Sequence, residues 1–222
     1  MARALRRLLD WIVISNIQYR FLFREQAAEV ISLDCETTGF DPRAHEIVSI
    51  AAIPIRGPRI LTSQAFRALI RPEGSMNAES IRVHQLREKD VESGRSMRQV
   101  LPELLHFIGG RPLVGYWIDF DVRMLDKYLF EMLNIHLPNR RIDVSNLYYD
   151  RKYRTAPPGT RVDLSFAAIA HDLGLPMLPQ HEAFNDALVA AEMYVTLKDM
   201  VARGARIRRT GNDGAALTFA AG

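Results

Sequence analysis

The stretch Ile31-Ser32-Leu33-Asp34-Cys35-Glu36-Thr37-Thr38-Gly39-Phe40 decides how this chain is read. The run from Glu29 to Asp34, which leads into it, is short and rich in residues that favour a strand. Alternation along a strand sends Asp34 and Glu36 to one face and Cys35 to the other. Two neighbouring carboxylates repel, so that face needs a proton or a cation between them. Such a pair is common on open surfaces. At the end of an apolar strand it implies partial burial and carries more weight. Thr37-Thr38-Gly39-Phe40 then reads as a turn, with Gly39 supplying backbone freedom.

Working outward, residues 46–55 and 60–70 are further apolar runs closed by Gly57-Pro58 and Arg71-Pro72. Three strands joined by short turns predict an antiparallel meander. The period then changes. Met97, Val100, Leu101, Leu104, Leu105 and Ile108 recur at helical spacing, and Gly109-Gly110 stops them. A short buried strand is expected at 112–116, a helix at 121–133, a strand at 141–144, and helices at 164–173 and 183–202. Asp143 and Asp163 are placed to cap the helices after them. Strands first, then helix and strand in alternation, make a mixed α/β sandwich.

Two later segments repeat the theme of carboxylates at element ends. In Gly115-Tyr116-Trp117-Ile118-Asp119-Phe120-Asp121 a short strand runs into two aspartates at a helix start. Capping explains one of them, not both. In His181-Glu182-Ala183-Phe184-Asn185-Asp186 a histidine and an acid open the long helix. An acid there is favoured by the helix dipole in any case, so cap and chemistry stand even, and His181 alone reads as a helix-start residue.

Together the three segments resemble the DnaQ-like, or DEDDh, family of 3′-to-5′ exonucleases, which includes the proofreading subunit of bacterial replicative polymerase. Asp34-Cys35-Glu36-Thr37-Thr38-Gly39 matches the first motif in full. Gly115, Phe120 and Asp121 match the second, which selects Asp121 over Asp119. His181 and Asp186 match the third, and all three come in family order over roughly residues 28–200. The resemblance implies a ribonuclease-H-like fold, a mixed five-stranded sheet flanked by helices. It implies hydrolysis of phosphodiester bonds at single-stranded 3′ ends to nucleoside monophosphates, on DNA first. An RNA-trimming exoribonuclease and a catalytically weak nucleic-acid-binding or polymerase-adaptor module are the alternatives. Asp34, Glu36, Asp121 and Asp186 offer only hard oxygen ligands, so two Mg²⁺ or Mn²⁺ ions are expected among them. His181 takes the role of general base, which its ordinary pKa near 6.5 suits. Thr37, Thr38, Gly39 and Phe40 are implied to bind the terminal nucleotide. Tyr116-Trp117 stands where the family usually has His-Asn. Those two rings either stack on nucleobases or fill the core.

The composition sets the frame. The chain has 222 residues, 48% of them hydrophobic and 25% charged, enough for one domain with a real core. Lys and Arg number 29 against 26 Asp and Glu, a net charge of +3 that permits a polyanionic partner without demanding one. The single cysteine, Cys35, excludes a disulfide framework and a zinc site of several thiolates, and points to a reducing cytoplasm. No stretch approaches the roughly 20 apolar residues of a membrane span, so stable insertion is not expected. Residues 1–27 read as an amphipathic helical arm, with Leu5, Leu8, Leu9, Ile12 and Val13 following Arg3, Arg6 and Arg7. The apolar run is too short for a cleaved signal. The arm is expected to fold onto the body or to join a polymerase or other protein, with a membrane surface as the lesser reading. Residues 28–203 are the exonuclease-like body and 204–222 a loose basic, small-residue tail. A homodimer is a further expectation by resemblance. Arg151, Lys152, Arg154 and Arg161 flank Tyr148, Tyr149 and Tyr153, a segment that either tracks a phosphate backbone or forms a solvated face. His45, His84, His106 and His171 have no matched partners and are assigned to the surface or to caps.

Overall fold

The computed structural model describes residues 2–74 and 88–209. His84 and most of the predicted tail lie outside the described residues. Strand β1, Val30–Thr37, is central. It pairs antiparallel with β2, Ile47–Arg56, setting Asp34 opposite Ala51. On its other edge it runs parallel to β5, Leu113–Gly115, which in turn runs parallel to β6, Arg141–Asp143. The predicted third strand at 60–70 is broken in two. β3, Arg59–Ile60, and β4, Phe66–Leu69, share the outer edge of β2, separated by a 3₁₀ turn at Thr62–Gln64. Pro54 gives the reason. Its carbonyl accepts from the Leu61 N–H at 2.9 Å on that edge, and a strand residue points its N–H and C=O the same way. The donor that proline lacks is therefore missing where the ladder breaks. Among the described residues six strands thus occupy five positions, a mixed sheet of the kind expected.

Helices cover both faces. On one side lie α3, Met97–Ile108, and α4, Ile118–Leu133. Leu101, Leu104, Leu105, Val122, Leu125 and Leu129 are buried there against Ile31, Leu33 and Cys35. Each such side chain contributes about 1.5–3 kcal/mol by leaving water. On the other side lie α5, Val144–Lys152, α6, Phe166–Asp172, and α7, Ala183–Ala202. The Ser32 hydroxyl donates to the Ala187 carbonyl at 2.7 Å and fixes α7 across β1. A short helix, α2, spans Glu88–Val91. Asp143 caps α5 by accepting from the Ser145 N–H at 2.8 Å. Ahead of α6, Ser165 is the cap and Asp163 accepts from its N–H at 2.9 Å.

At the N-terminus α1, Ala2–Val13, leads into a 3₁₀ helix at Ile17–Phe23. Ile14, Tyr19 and Leu22 join the main core. Gly110 lets this segment pass close by, since a Cβ there would lie 1.7 Å from the Arg24 carbonyl oxygen. Among the described residues no helix is long and apolar enough to cross a membrane. The basic and aromatic segment is divided, with Tyr149, Arg154 and Arg161 exposed. Tyr148 is fully buried, and Lys152 is buried on Asp172 with its ammonium 2.7 Å from the carboxylate. These groups hold α5 to α6.

Candidate active site

Asp34 and Glu36 leave β1 on the face covered by α7, while Cys35 packs into the core on the other. Asp186, in the first turn of α7, meets them. Oxygens of Asp34, Glu36 and Asp186 lie within 4.8 Å of one another. Asp121 stands just outside this group, buried in the first turn of α4, where the Cys35 N–H donates to its Oδ1 at 2.9 Å. The parallel seam of β1 and β5 thus delivers four acids to one end of the sheet. Asp119 takes a different course. It is exposed and pairs with Arg141 at 2.8 Å.

Burial and mutual repulsion shape the electrostatics. Asp34 is pushed well above the usual carboxylate range, chiefly by burial and then by Asp121, Glu36 and Asp186. Burial, with help from Asp186, lifts Glu36 to about 7. Burial lifts Asp121 to about 8 against the Cys35 N–H, which favours the charged form. Asp186 is raised by burial and restrained by the His181 N–H. Such a set of hard oxygen ligands, costly to ionise alone, fits divalent cations that would replace the missing positive charge.

His181 does not belong to the helix. It precedes α7 with φ 64°, a left-handed conformation uncommon outside glycine. Its backbone N–H donates to Asp186 Oδ2 at 2.9 Å, so the acid steadies the loop that carries the histidine.

Asp34, Glu36, Asp121, Asp186, His181, Thr37, Gly39, Phe40, Tyr116 and Trp117 line one cavity of about 820 Å³. Thr38 stands apart. It is buried, and its hydroxyl accepts from the Glu46 N–H at 2.9 Å, which closes the turn after β1. Trp117 is 61% exposed and does not fill the core. Its left-handed backbone, φ 55°, turns it outward at the start of α4, stacked on Tyr116 at 5.3 Å. Tyr116 is anchored by its hydroxyl, which donates to the Leu164 carbonyl at 3.0 Å, and by Phe166, edge-on at 5.3 Å. Phe40, 78% exposed, faces Phe120 at 6.2 Å.

Sequence reasoning missed His45 and Arg123, both of which line the cavity. The His45 ring occupies the space beside Gly39, where a Cβ would lie 2.4 Å from it. No spacing marks this contact. Arg123 follows Asp121 by two residues in the second turn of the helix, and that placement was a readable signal.

Residues 31–194 match the family model described as Exonuclease. The chain belongs to this exonuclease family. Among relatives, the DNA polymerase III PolC-type protein of Thermotoga petrophila is 28% identical over 193 residues, covering 85% of this chain and 13% of that protein. The chain therefore spans only about an eighth of the PolC-type relatives' length. The DNA polymerase III subunit epsilon of Rickettsia conorii is 29% identical over 170 residues, covering 75% of this chain and 72% of that subunit. Among solved structures, the nuclease domain of 3′hExo, a DEDDh family member bound to rAMP, superposes with a TM-score of 0.64 at 16% identity, covering 82% of this chain and 96% of that one. The zinc-bound E. coli ExoI–ssDNA complex superposes with a TM-score of 0.67 at 14% identity, covering 80% and 42%. These structures share the exonuclease-family chain's fold.

Proposed function

We propose that the protein is a metal-dependent 3′-to-5′ exonuclease that shortens single-stranded DNA and releases nucleoside monophosphates. One observation carries this reading: four carboxylates and a histidine from three distant segments line one cavity edged by exposed aromatic rings. Asp34, Glu36, Asp121 and Asp186 would hold two Mg²⁺ or Mn²⁺ ions. When bound, such ions draw in the scissile phosphate, acidify water and stabilise the departing oxygen. The Cys35 N–H keeps Asp121 aimed at the cluster. The His181 ring, carried on a loop tied to Asp186, takes a proton from the attacking water. Backbone groups of Thr37 and Gly39 receive the terminal nucleotide, and Phe40, Tyr116 and Trp117 stack on bases, a contact indifferent to sequence. DNA is preferred because the relatives cited are DNA polymerase III proteins. Association with a polymerase rests on those names alone. A reducing cytoplasm suits the buried free thiol of Cys35.

The test is digestion of matched DNA and RNA oligonucleotides labelled at either end, with Mg²⁺, with Mn²⁺ and with excess chelator. The expected result is a labelled mononucleotide released first from the 3′ end of DNA, only with metal. Undiminished hydrolysis in chelator, or shortening from the 5′ end, would overturn the reading. Degradation of RNA alone would make the protein an RNA-trimming enzyme, and tight binding without cleavage would make it a binding module.

A further inference from the structure

Helix α1 is turned against the usual rule. By helical spacing Arg3, Arg6, Arg7 and Asp10 share one side, and Leu5, Leu8, Leu9 and Ile12 share the other. An amphipathic helix normally lays its apolar side on the core. Here Arg7 and Asp10, on the polar side, face the body. Asp10 is buried 3.9 Å from His136, and Arg7 donates to the carbonyls of Phe23 and Pro138. The four apolar side chains point outward, each between 51% and 60% exposed, and exposed Val13 and Ile17 extend the stripe.

Beside the stripe is a hollow of about 550 Å³ lined by Arg7, Leu8, Trp11, Arg20, Phe23 and Arg24, with three arginines and no carboxylate. The Arg20 guanidinium lies 4.5 Å over the Trp11 ring, and among the described residues its buried Nε has no hydrogen-bond partner. We propose that this face docks on an anionic lipid surface, with the stripe at the acyl boundary and the hollow receiving headgroup phosphate. Each occupant must satisfy both features. A second copy joined by a two-fold axis would present the same arginine hollow to itself. Nucleic acid would satisfy the arginines and leave the leucines in water. A basic, Trp- and Leu-bearing helix with one apolar side is of the kind that lies in a membrane interface.

The experiment is co-sedimentation of the full chain with vesicles of phosphatidylcholine alone and of equal phosphatidylcholine and phosphatidylglycerol, at low and high salt. Binding to the anionic vesicles is expected to be at least about tenfold tighter and to weaken with salt. Leu8→Gln combined with Ile12→Gln should lose at least about tenfold of that binding with an unchanged circular dichroism spectrum. Arg24→Gln should weaken binding and flatten its salt dependence. Equal binding to both vesicles, no binding, or full binding by the double variant would overturn the proposal. Two further outcomes would also overturn it. One is a lipid-free dimer, seen by light scattering, that the double variant converts to monomer, which assigns the face to a second copy. The other is an Arg24-dependent oligonucleotide complex that displaces vesicles, which assigns the hollow to nucleic acid.

Discussion

Asp119 and Asp121 stand two residues apart at one helix start and meet opposite environments. Asp121 is buried under the Cys35 N–H, and Asp119 reaches solvent and Arg141. Asp121→Asn keeps an acceptor for that N–H and removes a charge that burial penalises. It should lose most turnover while the metal-free protein melts no lower than the wild type. Asp119→Ala should change stability by less than about 1 kcal/mol, as an exposed ion pair does, and leave turnover near normal. Steady-state assays and thermal melts of the two variants check both statements. If Asp119 were essential and Asp121 dispensable, the assignment of the second motif would be wrong. His181→Asn cannot accept a proton, so its rate should fall by about 10²–10⁴-fold and its rise with pH near neutrality should flatten. Near-normal turnover with an unchanged pH profile would return the base role to solvent. Asp34 and Glu36 were legible in the sequence because charge at the end of an apolar strand is a local signal, whereas Asp121 and Asp186 at helix starts read equally as caps until the family resemblance chose them. Trp117 was not legible, because its exposure follows from a left-handed backbone that no neighbouring residue announces.

At the scale of elements, the sequence marked α3 and α7 almost to the residue, since each joins a clean period to a clear stop, while β1 runs on to Thr37, three residues past the expected end. The third strand failed where an absent donor on β2, at Pro54, acts across the sheet, and reading one run at a time does not register that. His45 escaped for a similar reason: its contact with Gly39 belongs to the folded turn. Gly110 is the clearest element-level test. Any side chain there collides with the Arg24 carbonyl, and main chain cannot swing aside as a flexible side chain would. Gly110→Ala should cost about 1–3 kcal/mol, the usual range for overpacking. Because the collision falls where the arm crosses the body, limited proteolysis of the variant should cut first between the arm and β1. Cleavage no faster than in the wild type would show that the arm is held elsewhere.

The whole molecule stores an electrostatic cost that metal is expected to relieve. Folded Glu36 and Asp121 titrate near 7 and 8, against about 4.3 and 3.9 in an unfolded chain. Between those limits the folded chain holds protons that the unfolded chain has released, so metal-free stability falls as pH rises from about 4 to 8. The melting temperature in chelator should therefore drop across that range, and the gain on adding Mg²⁺ should grow towards pH 8. Combining Glu36→Gln with Asp121→Asn should flatten both trends. A wild-type gain from Mg²⁺ that is constant with pH would separate metal binding from these carboxylates. The direction in which α1 faces is also a property of the whole. Its two sides were legible in the sequence, but which one meets the body depends on the carbonyls of Phe23 and Pro138, far apart in the chain. That geometry has an optical consequence. The protein has two tryptophans, Trp117 at the cleft and Trp11 beside the arginine hollow. Emission should therefore report two events in two ways, quenching when bases stack on Trp117 and a blue shift when Trp11 enters an apolar phase. A single unlabelled sample could then follow substrate and surface at once.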